Sequence, residues 1–150
     1  GDDDSFTSAM NQIMNHHQIE IGQYYCVNKV VSSINPLNKQ NPNRVAQIKN
    51  FIGLIEKYVI NAYDNDKLNA NVNSTDGKPT HIFDAWIDEQ GIDLYCCNAN
   101  MKDPASIYLP INDILGITAD SASEKNMTYT VKMAENKTYN IVFSQSKENK

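Results

Sequence analysis

The apolar residues of this chain change period near residue 80, and that change constrains the fold more than any other feature. Before it they recur three and four apart, which is the spacing of one face of a helix; after it they alternate, which is the spacing of one face of a strand. In the first half Phe6, Ala9, Met10, Ile13 and His17 form a helical stripe, with Asp4 or Ser5 placed to cap its first turn. The stripe continues through Ile21, Tyr24, Val27, Val31 and Ile34, opposite a polar face of Gln23, Asn28, Lys29, Ser32 and Ser33. Gly22 weakens this helix by roughly 1 kcal/mol, and the cluster Val27, Val30, Val31 keeps a strand reading open there. Asn35-Pro36 ends the segment, because a residue before proline is pushed out of the helical region.

Asn41-Pro42 then starts a second helix, with asparagine as cap and proline at the first helical position. Val45, Ile48, Ile52, Ile55, Val59 and Ala62 form its seam, widened by Phe51, Leu54 and Tyr58. Arg44, Gln47, Lys49, Asn50, Glu56, Lys57 and Asn61 take the polar remainder. A short polar connection between two apolar-faced helices predicts an antiparallel helical hairpin over 1–63.

Residues 64–79 are rich in Asn and Asp, include Gly77, and read as a loop. Their composition is that of a calcium loop, but the alternating carboxylates, central glycine and closing glutamate do not line up. From His81 onward Phe83, Ala85 and Ile87 alternate with Ile82, Asp84 and Trp86; Asp88-Glu89-Gln90-Gly91 turns the chain, and Ile92, Leu94 and Cys96 answer on the return strand. Residues 105–109 form a short strand that Pro110 ends or places at an edge. Ile111, Ile114 and Leu115 suggest one helical turn or an extended run into Gly116-Ile117. A closing hairpin pairs Met127, Tyr129, Val131 and Met133 with Tyr139, Ile141 and Phe143. The predicted fold is α+β: an N-terminal helical hairpin packed on a mainly antiparallel sheet of four to five strands. It is read as a single domain over 1–150, with hairpin 1–63, loop 64–79, sheet 80–144 and polar tail 145–150.

Composition narrows function mainly by exclusion. The chain carries a formal net charge of -5 with lysines dispersed, so it lacks the basic stripe a nucleic-acid groove needs. A hydrophobic fraction of 41% supplies one ordinary core, and no apolar run is long enough to span a bilayer. Nucleophile-elbow, P-loop and dinucleotide-binding signatures are all missing, so the chain is read as non-enzymatic and without cofactor. Adjacent His16 and His17 diverge on a helix and cannot share one ion, so no metal site is expected. Cys26, Cys96 and Cys97 are expected as free, buried thiols. Asp84, Asp88, Glu89 and Asp93 gather around the first hairpin and are expected to form a solvated acidic rim rather than an acid–base pair. Trp86, Tyr95 and Tyr108 fall on faces opposite to the inferred core or not fixed by the pattern; an exposed outer sheet face would make them an aromatic patch with Asp84 and Asp93 around it, and the alternative is that a second layer such as the first helix covers them. Aromatic anchors inside a polar rim are what partner surfaces use. These three are the candidate binding residues; the partner would be a protein, a peptide or a glycan.

The opening Gly1-Asp2-Asp3-Asp4-Ser5 resembles the acidic segment that follows the lipidated cysteine of small exported lipoproteins of Bacteroidetes-type bacteria. Asp120-Ser121-Ala122 resembles the short O-glycosylation motif of exported proteins from the same group. This resemblance implies a domain in the bacterial cell envelope, periplasmic or outer-membrane-attached, touching the membrane only through a lipid upstream of Gly1. The alternative is an intracellular, cytoplasmic adaptor. The run from Ile82 through Gly91-Ile92 and Tyr108-Leu109-Pro110-Ile111-Asn112-Asp113-Ile114 to the closing hairpin resembles the middle strands of PH and PTB-like peptide-binding domains. It departs from them in ending on a polar tail instead of a helix, and in lacking their basic cluster.

Overall fold

A computed structural model describes residues 27–32, 34, 41–62, 65–73, 79–98, 104–123 and 125–145. Its dominant element is a seven-stranded antiparallel sheet in the order β4-β3-β2-β1-β7-β6-β5. The strands are β1 (Leu68–Asn73), β2 (Pro79–Ile87), β3 (Gly91–Cys97), β4 (Ala105–Pro110), β5 (Ile114–Ala122), β6 (Asn126–Met133) and β7 (Thr138–Gln145). Two helices are described: α1 (Val27–Ser32) and α2 (Arg44–Ile55), the latter running into a wider π-helical turn, Glu56–Ile60.

The outer strands of this sheet are neighbours in the chain. β4 and β5 are joined by three residues, Ile111–Asp113, in a 3-10 turn. A flat seven-stranded sheet would hold its edges roughly 29 Å apart at the usual strand spacing. The chain from Pro110 to Ile114 reaches about 14 Å at full extension. The sheet must therefore curl until its two edges meet at this corner, giving a half-barrel. Register shifts help it do so. They fall between Ile82 and Asp84 against β3, and between Ile114 and Gly116 and between Ala119 and Ser121 against β6. Each such bulge adds local twist and bend.

Helix α2 and its π turn cover the concave side. Ile48, Phe51, Ile52 and Ile55 are fully buried, in one core with Ile82, Leu94, Ile114, Ile141 and Phe143. The Phe143 ring meets three others, with centroids 5.9 Å from Phe51, 5.4 Å from Tyr58 and 5.9 Å from Tyr129. The wider π turn lets the successive residues Tyr58 and Val59 both be buried, facing β1 and β2.

The first turn of α2 also clips the corner. Arg44 is only 3% exposed; its Nε donates to the Ile114 carbonyl at 2.5 Å and its Nη2 to the Ile111 carbonyl at 2.6 Å. Asn41 Nδ2 donates to the Leu115 carbonyl at 3.0 Å, and Gln47 Oε1 accepts from the Ile117 N–H at 3.0 Å. These side chains occupy the free edge of β5 where an eighth strand would lie. Gly116 permits the approach, since a Cβ there would stand 2.6 Å from Asn41 Nδ2.

Several expectations are corrected. The fold is not a helical hairpin on four to five strands; seven strands curl around one principal helix. The proposed first helix lies mostly outside the described residues, which retain the six-residue α1. The 64–79 loop contains β1, where Ala70 and Val72 are buried while Asn69, Asn71 and Asn73 alternate with them. Bonding to β2 on one side and β7 on the other outweighs the weak strand preference of asparagine. The 111–117 stretch is both things weighed, a helical turn followed by strand β5. Gln145 belongs to β7 and not to a tail. The helix starts two residues later than expected: Arg44 opens it, and Asn41 bends the preceding turn by accepting the Asn43 N–H at 3.1 Å.

With its ring fully buried among three aromatics, Phe143→Ala is expected to cost about 3–5 kcal/mol in denaturant unfolding. A loss below about 1 kcal/mol would mean the concave core is not packed as described.

Candidate functional site

The bulge in β2 decides which side chains face outward. Pairing runs Ile82↔Cys96 and then Asp84↔Tyr95, so Phe83 is skipped. Ile82, Ala85 and Ile87 consequently point into the core, instead of the expected Phe83, Ala85 and Ile87. Asp84 and Trp86 go to the convex side. Cross-strand pairing then builds two rows there. One is Asp84, Tyr95 and Ser106; the other is Trp86, Asp93 and Tyr108. The three aromatic residues singled out from sequence thus share one face, with Asp84 and Asp93 interleaved.

Exposure is graded across this face. Cys97 and Asp84 are buried; Trp86, Asp93 and Tyr95 are half-buried; Tyr108 is 47% exposed. The expectation of a uniformly solvated acidic rim is therefore corrected at Asp84, whose Oδ1 accepts the Ala85 N–H at 2.8 Å. The accessible part lies toward the β2–β3 turn and the β4 edge. Among the described residues β4 pairs only with β3, while β5 is met by Asn41 and Gln47.

Two of the aromatic rings are held in place. Trp86 Nε1 donates to Asp88 Oδ2 at 3.2 Å, and Asp88 Oδ1 accepts the Gln90 and Gly91 N–H groups at 2.8 and 3.2 Å. One carboxylate thus shapes the turn and orients the indole. The Tyr108 ring lies directly over the Gly91 backbone: a Cβ at Gly91 would come within 2.5 Å of the Leu109 carbonyl, 2.9 Å of Tyr108 Oη and 3.0 Å of its Cε1. Only glycine fits. Sequence reading placed Gly91 in the turn for its backbone freedom; its necessity comes instead from this close approach.

The electrostatics of the face are one-sided. Burial, then the charges of Asp93 and Asp84, push the Tyr95 hydroxyl up to about 12. Burial, then Asp88 and Asp93, raise Tyr108 as well. Burial lowers His81, which pairs with Cys97, and so favours its neutral form. Cys96 and Cys97 are both buried and neither is in a disulfide; burial, Cys97 and Asp93 push Cys96 up to about 12, so it is no nucleophile at neutral pH. Cys26, His16 and His17 lie outside the described residues. No group of three metal-ligating side chains occurs among the described residues, and no helix there is long and apolar enough to cross a membrane.

The other half of the convex face differs. Thr118, Thr130, Asn140 and Asn73 form one continuous row across β5, β6, β7 and β1. Thr130 Oγ1 donates to the Asp120 carboxylate and approaches Asn140 Oδ1 at 3.1 Å. Small hydrogen-bonding side chains are what a solvated sheet face carries. Against that background the aromatic half stands out.

Two outcomes follow. Gly91→Ala should displace the Tyr108 ring or the β4 backbone and destabilise the domain by about 1–3 kcal/mol, whereas Tyr108→Ala should cost about 1 kcal/mol or less. In an alkaline absorbance titration one tyrosine should ionise near 12, and Tyr95→Phe should remove that step. Because the folded Tyr95 value lies above the ordinary tyrosine value of 10.0, its contribution to stability is full below pH 10 and is lost between about 10 and 12.

No protein-family model matches the chain, and no curated protein matches it. Among solved structures the chain is similar to the pleckstrin homology domain of USP37, at 10% identity and a TM-score of 0.33, over 53% of this chain and 81% of that one. Similarity at that level carries no function to this chain.

Proposed function

We propose that this chain is a non-enzymatic binding domain of an exported, lipid-anchored envelope protein, and that it holds its partner on the convex face of β2, β3 and β4. The observation that carries the reading is the aromatic shelf itself. Trp86, Tyr95 and Tyr108 converge outward on a sheet whose other half is polar, and Tyr108 is the one large hydrophobic residue exposed among those described. Tryptophan and tyrosine contribute disproportionately to binding energy, and exposed ones on a rigid sheet lose little entropy on contact. The anchoring part of the reading rests on the resemblance of the acidic segment Asp2-Asp3-Asp4 to that of exported lipoproteins.

The two parts are tested separately. A photo-crosslinking residue at position 108, in cells of the native host, should give a discrete adduct that the same residue at position 130 does not. Equal labelling at both positions would remove the shelf as the binding face. For the anchor, cells expressing the natural gene and fed an alkyne fatty acid should label the product. An unlabelled product made from a gene with a methionine start near Gly1 would leave the intracellular adaptor instead.

A further inference from the structure

The two edges of the half-barrel end differently. Along β5 the side chains of Asn41, Arg44 and Gln47 hold backbone groups that a further strand would otherwise take. Along β4, among the described residues, only β3 is paired. Open edge strands are commonly guarded by charged side chains or bulges. β4 has neither. It reads Ala-Ser-Ile-Tyr-Leu-Pro, its register runs unbroken from Gly91↔Pro110 to Cys96↔Ala105, and Ala105, Ser106 and Tyr108 are exposed.

Which backbone groups face outward follows from one hydrogen bond. The Ile111 N–H donates to the Gln90 carbonyl at 2.9 Å, one step beyond the Gly91↔Pro110 pair. In an antiparallel ladder the N–H and C=O of one residue point the same way, and those of the next residue point the other. The odd-numbered residues of β4 therefore bond to β3, and Ser106, Tyr108 and Pro110 face the open side. Pro104, just before the strand, falls in the same alternation. The open edge thus presents the N–H groups of Ser106 and Tyr108, with a proline, which has none, two residues beyond each.

That pattern is symmetric about Ile107. A second β4, run antiparallel with a two-fold axis at Ile107, sets Ser106 opposite the copy's Tyr108 and Tyr108 opposite the copy's Ser106. Both donors of each strand then meet a carbonyl, and each proline faces a proline outside that ladder. Moving the axis to 106 or 108 instead sets a proline ring against Tyr108 or Ser106, inside the ladder. On the convex side the two Tyr108 residues become diagonal neighbours, about 7–8 Å apart, and shield the one large hydrophobic residue exposed among those described. On the other side the partly buried Ile107 meets its own copy. Charge does not oppose the approach, because β4 carries no charged side chain. The two Asp93 residues would stand at least three strand spacings apart, about 14 Å, beyond the screening length of about 8 Å.

We infer that the chain self-associates edge to edge, β4 against β4 about a two-fold axis at Ile107, joining two seven-stranded sheets and their aromatic shelves into one continuous surface.

The contact is small, so association belongs to the weak class that buries less than about 1,200 Å² in total. Sedimentation equilibrium of the full chain from about 10 μM to about 1 mM should show the mean mass rising from one chain toward two, as mass action requires. Ser106→Pro and Tyr108→Pro each delete an outward donor and no bond to β3. Both should stay folded by circular dichroism and weaken association about tenfold or more. Cysteine trapping in a Cys26→Ser background reads the register. Ile107→Cys faces its own copy with Cα atoms about 4.5 Å apart, within disulfide reach, and should form an intermolecular disulfide under mild oxidation. Ala105→Cys lies four residues along from its copy, about 13 Å, and should not. A chain that stays monomeric at the highest concentration, undiminished association of both proline variants, or equal trapping at 105 and 107 would each overturn the inference. If a proline variant unfolds, the trapping pair still decides. The inference does not rest on what binds the shelf. In the crosslinking at position 108, an adduct of twice the chain mass is the second copy, and any other discrete adduct is the partner.

Discussion

A sheet folded back on itself must satisfy the peptide groups at its sharpest corner, and here Arg44 supplies much of that satisfaction. Its guanidinium reaches the Ile111 and Ile114 carbonyls, on the two ends of the turn that joins the outermost strands. A buried carbonyl left unmatched costs about 1–3 kcal/mol, and charged donors give the stronger bonds. Burial lowers the arginine's pKa, yet a guanidinium is so strong a base that the group remains a cation at neutral pH. The desolvation this imposes is offset only if both carbonyls are held, so helix position and sheet curvature are coupled. Asn41 and Gln47 extend the clip along β5, and the Ile111 N–H donates to the Gln90 carbonyl at 2.9 Å. One corner thereby ties α2, both sheet edges and the β2–β3 turn together.

The consequence for function is indirect. Curling puts Ile82, Ala85, Ile87, Leu94 and Cys96 on the concave side, in the core that α2 shares. The same curl turns Trp86, Asp93 and Tyr108 outward onto a convex surface. The tie from Ile111 to Gln90 holds the turn whose Asp88 carboxylate orients Trp86, so the corner and the shelf share a support. Rigidity of the shelf is a property of the whole half-barrel, not of the hairpin alone.

Much of the local structure was legible in the sequence, and the global arrangement was not. Both hairpins and the second helix follow from periodicity, whereas the pattern alone left open whether Trp86, Tyr95 and Tyr108 face outward or lie under a second layer. β1 was missed because its outward positions are Asn69, Asn71 and Asn73, which signal turns when their pairing partners are unknown. The exchange of Phe83 for Ile82 came from a bulge, which shifts the face by one residue and leaves no compositional mark. Arg44 and Gln47 read as solvent-facing positions of an amphipathic helix. Only a neighbour 70 residues away explains their burial or bonding. The curl itself follows from strand order, and strand order is a long-range property.

The dependence of the fold on the corner clip is tested most directly by the unfolding free energy of Arg44→Met, which keeps an apolar stem and removes both donors. The account predicts a loss of about 2–4 kcal/mol relative to the unsubstituted chain, since two buried carbonyls lose a charged partner. A change within about 0.5 kcal/mol, the range of an ordinary surface substitution, would contradict it.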